Sequence, residues 1–337
     1  MSASTTTPAR RVKYGKHFRL GNSGLKVSQI ILGCMTYGSS AWSSWVLGED
    51  EAVNHIKFAY EAGIQTFDTA DMYSNGMSEV VLGNAIKKLA LSRDEIVVMS
   101  KANATELFLK GTDNLGYVNR HGLSRKHIMA SVQASLKRLQ LEYIDAAVGF
   151  LFGMQALHDV VKAGYVRYIG MSSCHACPHY AIIHNLTPFI SMQNQYNLIH
   201  REEEREMMPS LKHFGVGSIP WSPLARGALT RPYSENTDKT VRQQSDSIAP
   251  DDYFRLGAAN KAVVQRLEEM VKKHNATMAQ VSLAWLMSEE EVTAPIVGTT
   301  SLEKLQDLLG ALDIKLSSED MRYLEEPYRP MDIMVYV

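Results

Sequence analysis

Eight short apolar runs recur along this chain, each followed by a stretch of helical period, and this alternation limits the fold more than any other feature of the sequence. The runs are Gln29 to Leu32, Gly63 to Phe67, Ile96 to Met99, Tyr143 to Val148, Val166 to Ile169, Phe189 to Met192, Val216 to Ile219 and Ala294 to Val297. Alternation of this kind argues for a parallel sheet covered by helices, and eight strands argue for closure into a (β/α)8 barrel of the TIM type. Ahead of the first run, Lys16 to Ser28 alternates around Asn22-Ser23-Gly24, which predicts a β-hairpin that plugs one end of the barrel. At 337 residues the chain fits one barrel with insertions, so residues 16–337 read as a single domain and residues 1–15, small and polar, as a flexible tail.

Charge and composition narrow the partners. A net charge of -1 gives no field that would gather nucleic acid or an anionic membrane, and no apolar run approaches the roughly 18 residues that span a bilayer. The first residues lack the apolar core of a secretory signal. Three cysteines, an odd number, argue against a disulfide framework and for a reducing compartment. The expectation is a cytoplasmic protein, a monomer or weak oligomer, acting on a small molecule.

In parallel barrels chemistry collects at the C-terminal ends of the strands. Asp68, Lys101, Ser172-Ser173, Gln193, Trp221-Ser222 and Gly298-Thr299 all fall there. Asp68 and Lys101 end neighbouring strands, and Tyr73 follows a few residues later. A buried ammonium beside a phenol stabilises the phenolate and lowers the phenol pKa, which makes Tyr73 a candidate general acid. The same residues also read as a structural ion pair with a rim aromatic, and spacing alone leaves both readings open. Gly298 to Ser301 lies between the last strand and a helix from Leu302 to Leu309, placing backbone N–H groups where an anion is welcome. Lys304, in the first turn of that helix, is disfavoured by the dipole unless an anion sits beside it. No Gly-x-Gly-x-x-Gly follows a strand, so a Rossmann cradle is not expected.

The segments FDTADMYSNGMSE, IVVMSK, YIGMSS, SMQNQYNL, IPWSPLARG and PIVGTTSLEKL, in this order, resemble the aldo-keto reductase family, in particular its microbial and fungal aryl-alcohol-dehydrogenase-like branch. The resemblance implies NADP(H)-dependent interconversion of a carbonyl and an alcohol, with Asp68, Tyr73 and Lys101 as catalytic residues. It further implies that Trp221 stacks on the nicotinamide while Ser172, Ser173 and Gln193 hold its carboxamide. Ser222, Leu224 and Arg226 match the pyrophosphate loop, and Gly298 and Thr299 open the phosphate site. Ser301 and Lys304 match positions that hold the adenosine 2'-phosphate, and Asp307 the acidic position near the adenine.

One element departs from that family. Its fourth strand runs to a histidine that hydrogen-bonds the substrate carbonyl; here YIDAAV continues as GFLFGMQ, and the histidine position falls at Phe150. The units after strands 4 and 5 are both shortened. His158 is no substitute, since it sits in a helix whose Leu157, Val160 and Val161 face the barrel wall. The substrate wall is expected to include Trp42 and Phe150. Two functional readings follow: a reductase with weakened or altered catalysis, or a non-catalytic NADPH-binding protein.

Remaining signals are weaker. Cys174-His175-Ala176-Cys177-Pro178-His179 could supply metal ligands, but structural zinc sites join two separated pairs, and no metal is expected. Arg201 to Glu206 reads as a solvated helix face. Arg231 to Arg255 has no period and reads as a long loop, either a lid or a surface excursion.

Overall fold

β1 (His17–Arg19) and β2 (Lys26–Ser28) pair antiparallel as the expected hairpin. Its turn needs glycine at Gly21, whose φ is 54° and where an added Cβ would meet the Gly215 carbonyl oxygen at 2.4 Å. The Asn22 amide then donates to that same oxygen at 2.7 Å, so the hairpin is bolted to the chain entering a barrel strand. These features belong to a computed structural model that describes residues 15–101, 119, 122–149, 153–174, 177–235 and 258–331. Phe150, residues 1–14 of the expected tail and most of the expected loop from Arg231 to Arg255 lie outside the described residues.

The barrel strands are β3 (Ile31–Gly33), β4 (Thr66–Asp68), β5 (Val97–Lys101), β6 (Ile144–Gly149), β7 (Val166–Met171), β8 (Phe189–Met192), β9 (Gly217–Ser218) and β10 (Ile296–Val297). All neighbours pair in parallel, in the order β10-β3-β4-β5-β6-β7-β8-β9. The two end strands are too short to form a ladder, and single bonds join them instead. Thr293 N donates to Ser218 O at 2.8 Å, and Ile296 N to Pro220 O at 2.9 Å. The (β/α)8 architecture expected from the alternation is thus present, with each strand found within a few residues of its apolar run.

Apolar side chains fall into two layers. Leu20 and Val27 from the hairpin pack with Ile31, Met99, Ile219 and Ala294 inside the barrel, which closes that end with hydrocarbon. A second layer fills the space between sheet and helices, where Ile56, Leu82, Val132, Val160, Leu211 and Leu286 are buried. The helix Glu49–Ala62 carries three acids in its first turn, favourable to the dipole, and ends at Gly63 with φ of 106°. The helix Arg125–Leu139 is capped by the Ser124 side chain, which accepts from His127 N. The two shortened units are also present: the helix after β6 has nine residues and the one after β7 has seven.

Two expectations are corrected. The run Arg201 to Glu206 is not a solvated helix face: Glu202 is buried, and its carboxylate accepts from Tyr328 Oη at 2.7 Å and Met331 N at 2.8 Å. A carboxylate receiving two donors from the C-terminal segment has a reason to leave water that a local charge pattern does not reveal. Likewise, although the odd cysteine count argued against a disulfide framework, Cys174 is disulfide-bonded, while Cys34 is a free, buried thiol. Among the described residues, no cluster of three or more His, Cys, Asp or Glu side chains could hold a metal, and no helix is long and apolar enough to cross a membrane.

A cavity of about 230 Å³ on the outer wall is lined by Tyr196, Glu204, Met208, Pro209, Glu289 and Glu291. Burial, reinforced by Glu325 and Glu204 and only partly offset by Arg201, pushes the Glu289 carboxyl up to about 7. A folded-state pKa above the unfolded value means that the stability from this group is fully present below about 4.5 and is lost as pH rises through about 7. Glu289→Gln is therefore expected to raise the melting temperature at pH 8 and to leave it nearly unchanged at pH 5. Parallel melts at the two pH values check this, and an equal shift at both would contradict it.

Candidate active site

The mouth of the barrel is built from strand ends that the register aligns. Asp68 closes β4, and β5, two residues longer in that direction, carries Lys101 past Met99, the register partner of Asp68. The Lys101 ammonium donates to Asp68 Oδ2 at 2.7 Å and to the Thr69 main-chain oxygen at 2.8 Å. Both side chains are buried. Tyr73 follows on a short 3-10 turn, with Lys101 Nζ 4.9 Å from its ring centroid. The three residues expected to act together are therefore brought together.

Tyr73 is held by an unusual backbone. Ser74, Asn75 and Gly76 adopt φ of 50°, 53° and 89°, three successive left-handed residues, of which two are not glycine. The turn is braced from outside: Ser39 N donates to Ser74 Oγ, and Gly38 leaves no room for a Cβ, which would meet that oxygen at 2.3 Å. At the start of the next helix, Ser78 Oγ donates to the Cys34 main-chain oxygen at 2.7 Å. Beneath Lys101, Ser100 Oγ donates to fully buried Glu79, which also takes Arg138 Nε at 2.6 Å.

Electrostatics correct one expectation. Burial raises the Tyr73 phenol above its ordinary value, and Lys101 offsets this only in part, so the net direction is up, not down. Desolvating a phenolate costs more here than one ammonium, already shared with Asp68, returns. Burial alone would lower the Lys101 ammonium, but Asp68 and the hydrogen bonds to Asp68 and Tyr73 hold it above its ordinary value. Burial, with Asp68 nearby, likewise pushes the Cys34 thiol up, which leaves it an inert neutral group.

Gln193 stands at the end of β8, four places from β4 in the eight-strand order and thus on the opposite side of the mouth. Its side-chain nitrogen crosses to donate to Asp68 Oδ1 at 2.9 Å. Expected as a carboxamide holder, it also orients the Asp68 carboxylate. Ser172 Oγ donates to the Gln193 main-chain oxygen at 2.8 Å, and Ser173 N donates to Asn194 Oδ1 at 3.1 Å. Trp221, partly exposed, is fixed through its N–H to Asn194 O at 2.8 Å. Asn194 was not singled out in the sequence, although its place just past a strand end was the available signal. Trp42 lies half-buried in the loop after β3, edge-on to Trp45 at 6.0 Å.

The rim continues into two loops suited to anions. Ser222, Ala225 and Arg226 take φ of 52°, 47° and 54°, and Gly227 follows at 102°, so the chain after Leu224 curls tightly. Backbone turns of this type aim successive N–H groups into one concavity, and strain in non-glycine residues collects at functional sites. Gly298 and Thr300 are exposed, Ser301 caps the helix Leu302–Leu309 by accepting from Lys304 N, and the Lys304 side chain stands exposed in its first turn. Asp307, matched to the acidic position near the adenine, has both oxygens hydrogen-bonded within the protein and keeps acceptor capacity on each. Its Oδ2 accepts from Thr277 Oγ1 at 2.9 Å and its Oδ1 from Gln280 Nε2 at 2.9 Å, so it joins two helices.

An ammonium, a carboxylate and a phenol gathered at the C-terminal mouth of a (β/α)8 barrel fit what the whole chain resembles. The aldo/keto reductase family pattern matches residues 29–329. The chain belongs to that family. It is 43% identical to versiconal hemiacetal acetate reductase of Aspergillus parasiticus, over 94% of this chain and 98% of the relative. It is 45% identical to a putative aryl-alcohol dehydrogenase of Schizosaccharomyces pombe, over 93% of this chain and 96% of the relative. An aldo-keto reductase of Alternaria alternata shares 39%, over 94% and 92%. This aldo/keto reductase therefore acts on carbonyl or alcohol groups of small molecules.

Proposed function

We propose that this protein catalyses NADP(H)-dependent reduction of an aromatic aldehyde or ketone to its alcohol, or the reverse, in the cytoplasm and as part of secondary metabolism. The observation that carries the reading is the bonded pair Asp68 and Lys101 at the barrel mouth, with the Tyr73 ring 4.9 Å from the ammonium. Relatives named for aryl-alcohol dehydrogenation and hemiacetal acetate reduction point to the substrate class.

The residues present fit the cofactor. Trp221 offers a face for the nicotinamide, with Ser172, Ser173 and Gln193 around its carboxamide. The curled segment Ser222, Leu224 and Arg226 would take the pyrophosphate, and Gly298, Thr299, Ser301 and Lys304 the remaining phosphate. When bound, NADPH would supply the hydride. Tyr73, kept protonated at neutral pH by burial, gives its proton to the developing alkoxide oxygen. Lys101 then stabilises the phenolate left behind, and Asp68, bonded to both Lys101 and Gln193, holds the ammonium in line.

By the resemblance, Phe150 stands at the position of the family histidine, and a phenylalanine has no hydrogen-bond donor to offer the carbonyl, so altered catalysis is the expected result. Phe150→His is expected to raise turnover of simple aldehydes by about 10²-fold or more, read as initial rate. No gain would argue against this view of the wall.

The defining test mixes excess protein carrying NADPH with aryl aldehydes and an ortho-quinone, following reduced-cofactor absorbance in a single turnover. Binding is confirmed in the same sample by quenching of tryptophan emission. Oxidation of the cofactor supports the reductase. Tight binding without oxidation moves the reading to a non-catalytic NADPH-binding protein, the alternative that Phe150 favours.

A further inference from the structure

We infer that Asn194 is a positioning residue that sets the geometry of the nicotinamide platform, an inference that rests on the cofactor reading above. Asn194 is fully buried just past the end of β8, and its polar groups go to three separate segments. Oδ1 accepts from Ser173 N at 3.1 Å, Nδ2 donates to Glu203 Oε2 at 2.5 Å, and the main-chain oxygen accepts from Trp221 N at 2.8 Å. The side chain thereby ties the serine loop after β7 to the Glu203 turn, while the main chain of the same residue takes the tryptophan after β9.

The need for an amide follows from the partners. Ser173 has a φ of 47°, a conformation that a non-glycine residue keeps only where its surroundings over-determine it. The acceptor at Asn194 holds that strained N–H in place. Glu203 requires a donor, and among side chains of this size only the amide presents an acceptor and a donor from one branch point. Glu203 also precedes Glu204 and follows Glu202 in a single 3-10 turn, and Glu202 accepts from Tyr328 Oη and Met331 N. The platform is thus tied, through one turn, to the C-terminal segment as well.

The full-length protein tests this with NADPH as probe. Asn194→Asp keeps the shape and the acceptor toward Ser173 but sets a carboxylate against Glu203, and it is expected to weaken NADPH binding about tenfold. Glu203→Gln alone should bind nearly as the parent does. Combined with Asn194→Asp it restores a donor–acceptor pair and should return affinity to within about threefold of the parent. Asn194→Ser loses both side-chain bonds by reach, and Glu203→Gln should not rescue it. A merely structural role would not produce rescue that depends on which residue stands at position 194. Parent-like binding by Asn194→Asp, or a double variant no better than the single, overturns the inference. If Asn194→Asp does not fold, parent-like binding by Asn194→Ser overturns it equally. A parent that itself fails to bind NADPH sinks the cofactor reading first, and this inference with it.

Discussion

Tyr73→Phe is expected to bind NADPH as the parent does and to lose turnover by about 10²- to 10⁴-fold. The separation of binding from chemistry follows from how Tyr73 is held. Its turn is fixed by left-handed Ser74, Asn75 and Gly76 and by the contacts of Ser74 with Gly38 and Ser39, none of which uses the phenol oxygen. The ring therefore keeps its place, and what is lost is the proton. Lys101 keeps its bonds to Asp68 and Thr69, so the melting temperature should move little. Because burial raises the phenol, the protonated form suits carbonyl reduction across the neutral range, whereas alcohol oxidation, which needs the phenolate, should speed up as pH rises. Stopped-flow absorbance of the reduced cofactor measures the loss. Turnover within about threefold of the parent would remove Tyr73 as the acid.

Much of this was legible in the sequence, because barrel strands and helices are local patterns repeated at a regular interval. The helix Leu302–Leu309 has the bounds that its place after Gly298 to Ser301 predicts. Asp68, Lys101 and Gln193 were legible as strand-end residues for the same reason. What they do to one another was not. The bond from Gln193 to Asp68 joins residues 125 positions apart, and that from Tyr328 to Glu202 joins residues 126 apart. Composition near Glu202 says solvent; the distant tyrosine and the Met331 amide reverse it. The phenol shows the same limit. A neighbouring cation is visible in the chain order, but the competing cost of burial depends on everything packed around the ring, and here burial wins. Asp307 illustrates it too, since its bonds to Thr277 and Gln280 join it to the start of another helix, which no local pattern reveals.

The Asp68–Lys101 pair divides stability from catalysis. Lys101→Met leaves the Asp68 carboxylate buried with the Gln193 amide as its remaining side-chain partner, and removing one member of such a pair costs about 3–5 kcal/mol. The pair's contribution has a definite pH range. Because Lys101 is raised in the fold, its stabilisation is fully present below the ordinary lysine value of 10.5 and fades only as pH climbs through the folded value. The deficit of Lys101→Met should therefore be constant from pH 6 to pH 9. Asp68→Asn combined with Lys101→Met replaces the buried charges with a neutral amide and a thioether of similar volume, and it is expected to recover most of the lost stability. It cannot recover activity, since no ammonium remains to hold the phenolate of Tyr73. Chemical denaturation of the two variants, set beside their single-turnover rates, checks both halves. If the double variant is no more stable than Lys101→Met, the unpaired carboxylate is not the source of the cost, and the loss lies in the bond from the Lys101 ammonium to the Thr69 main-chain oxygen instead.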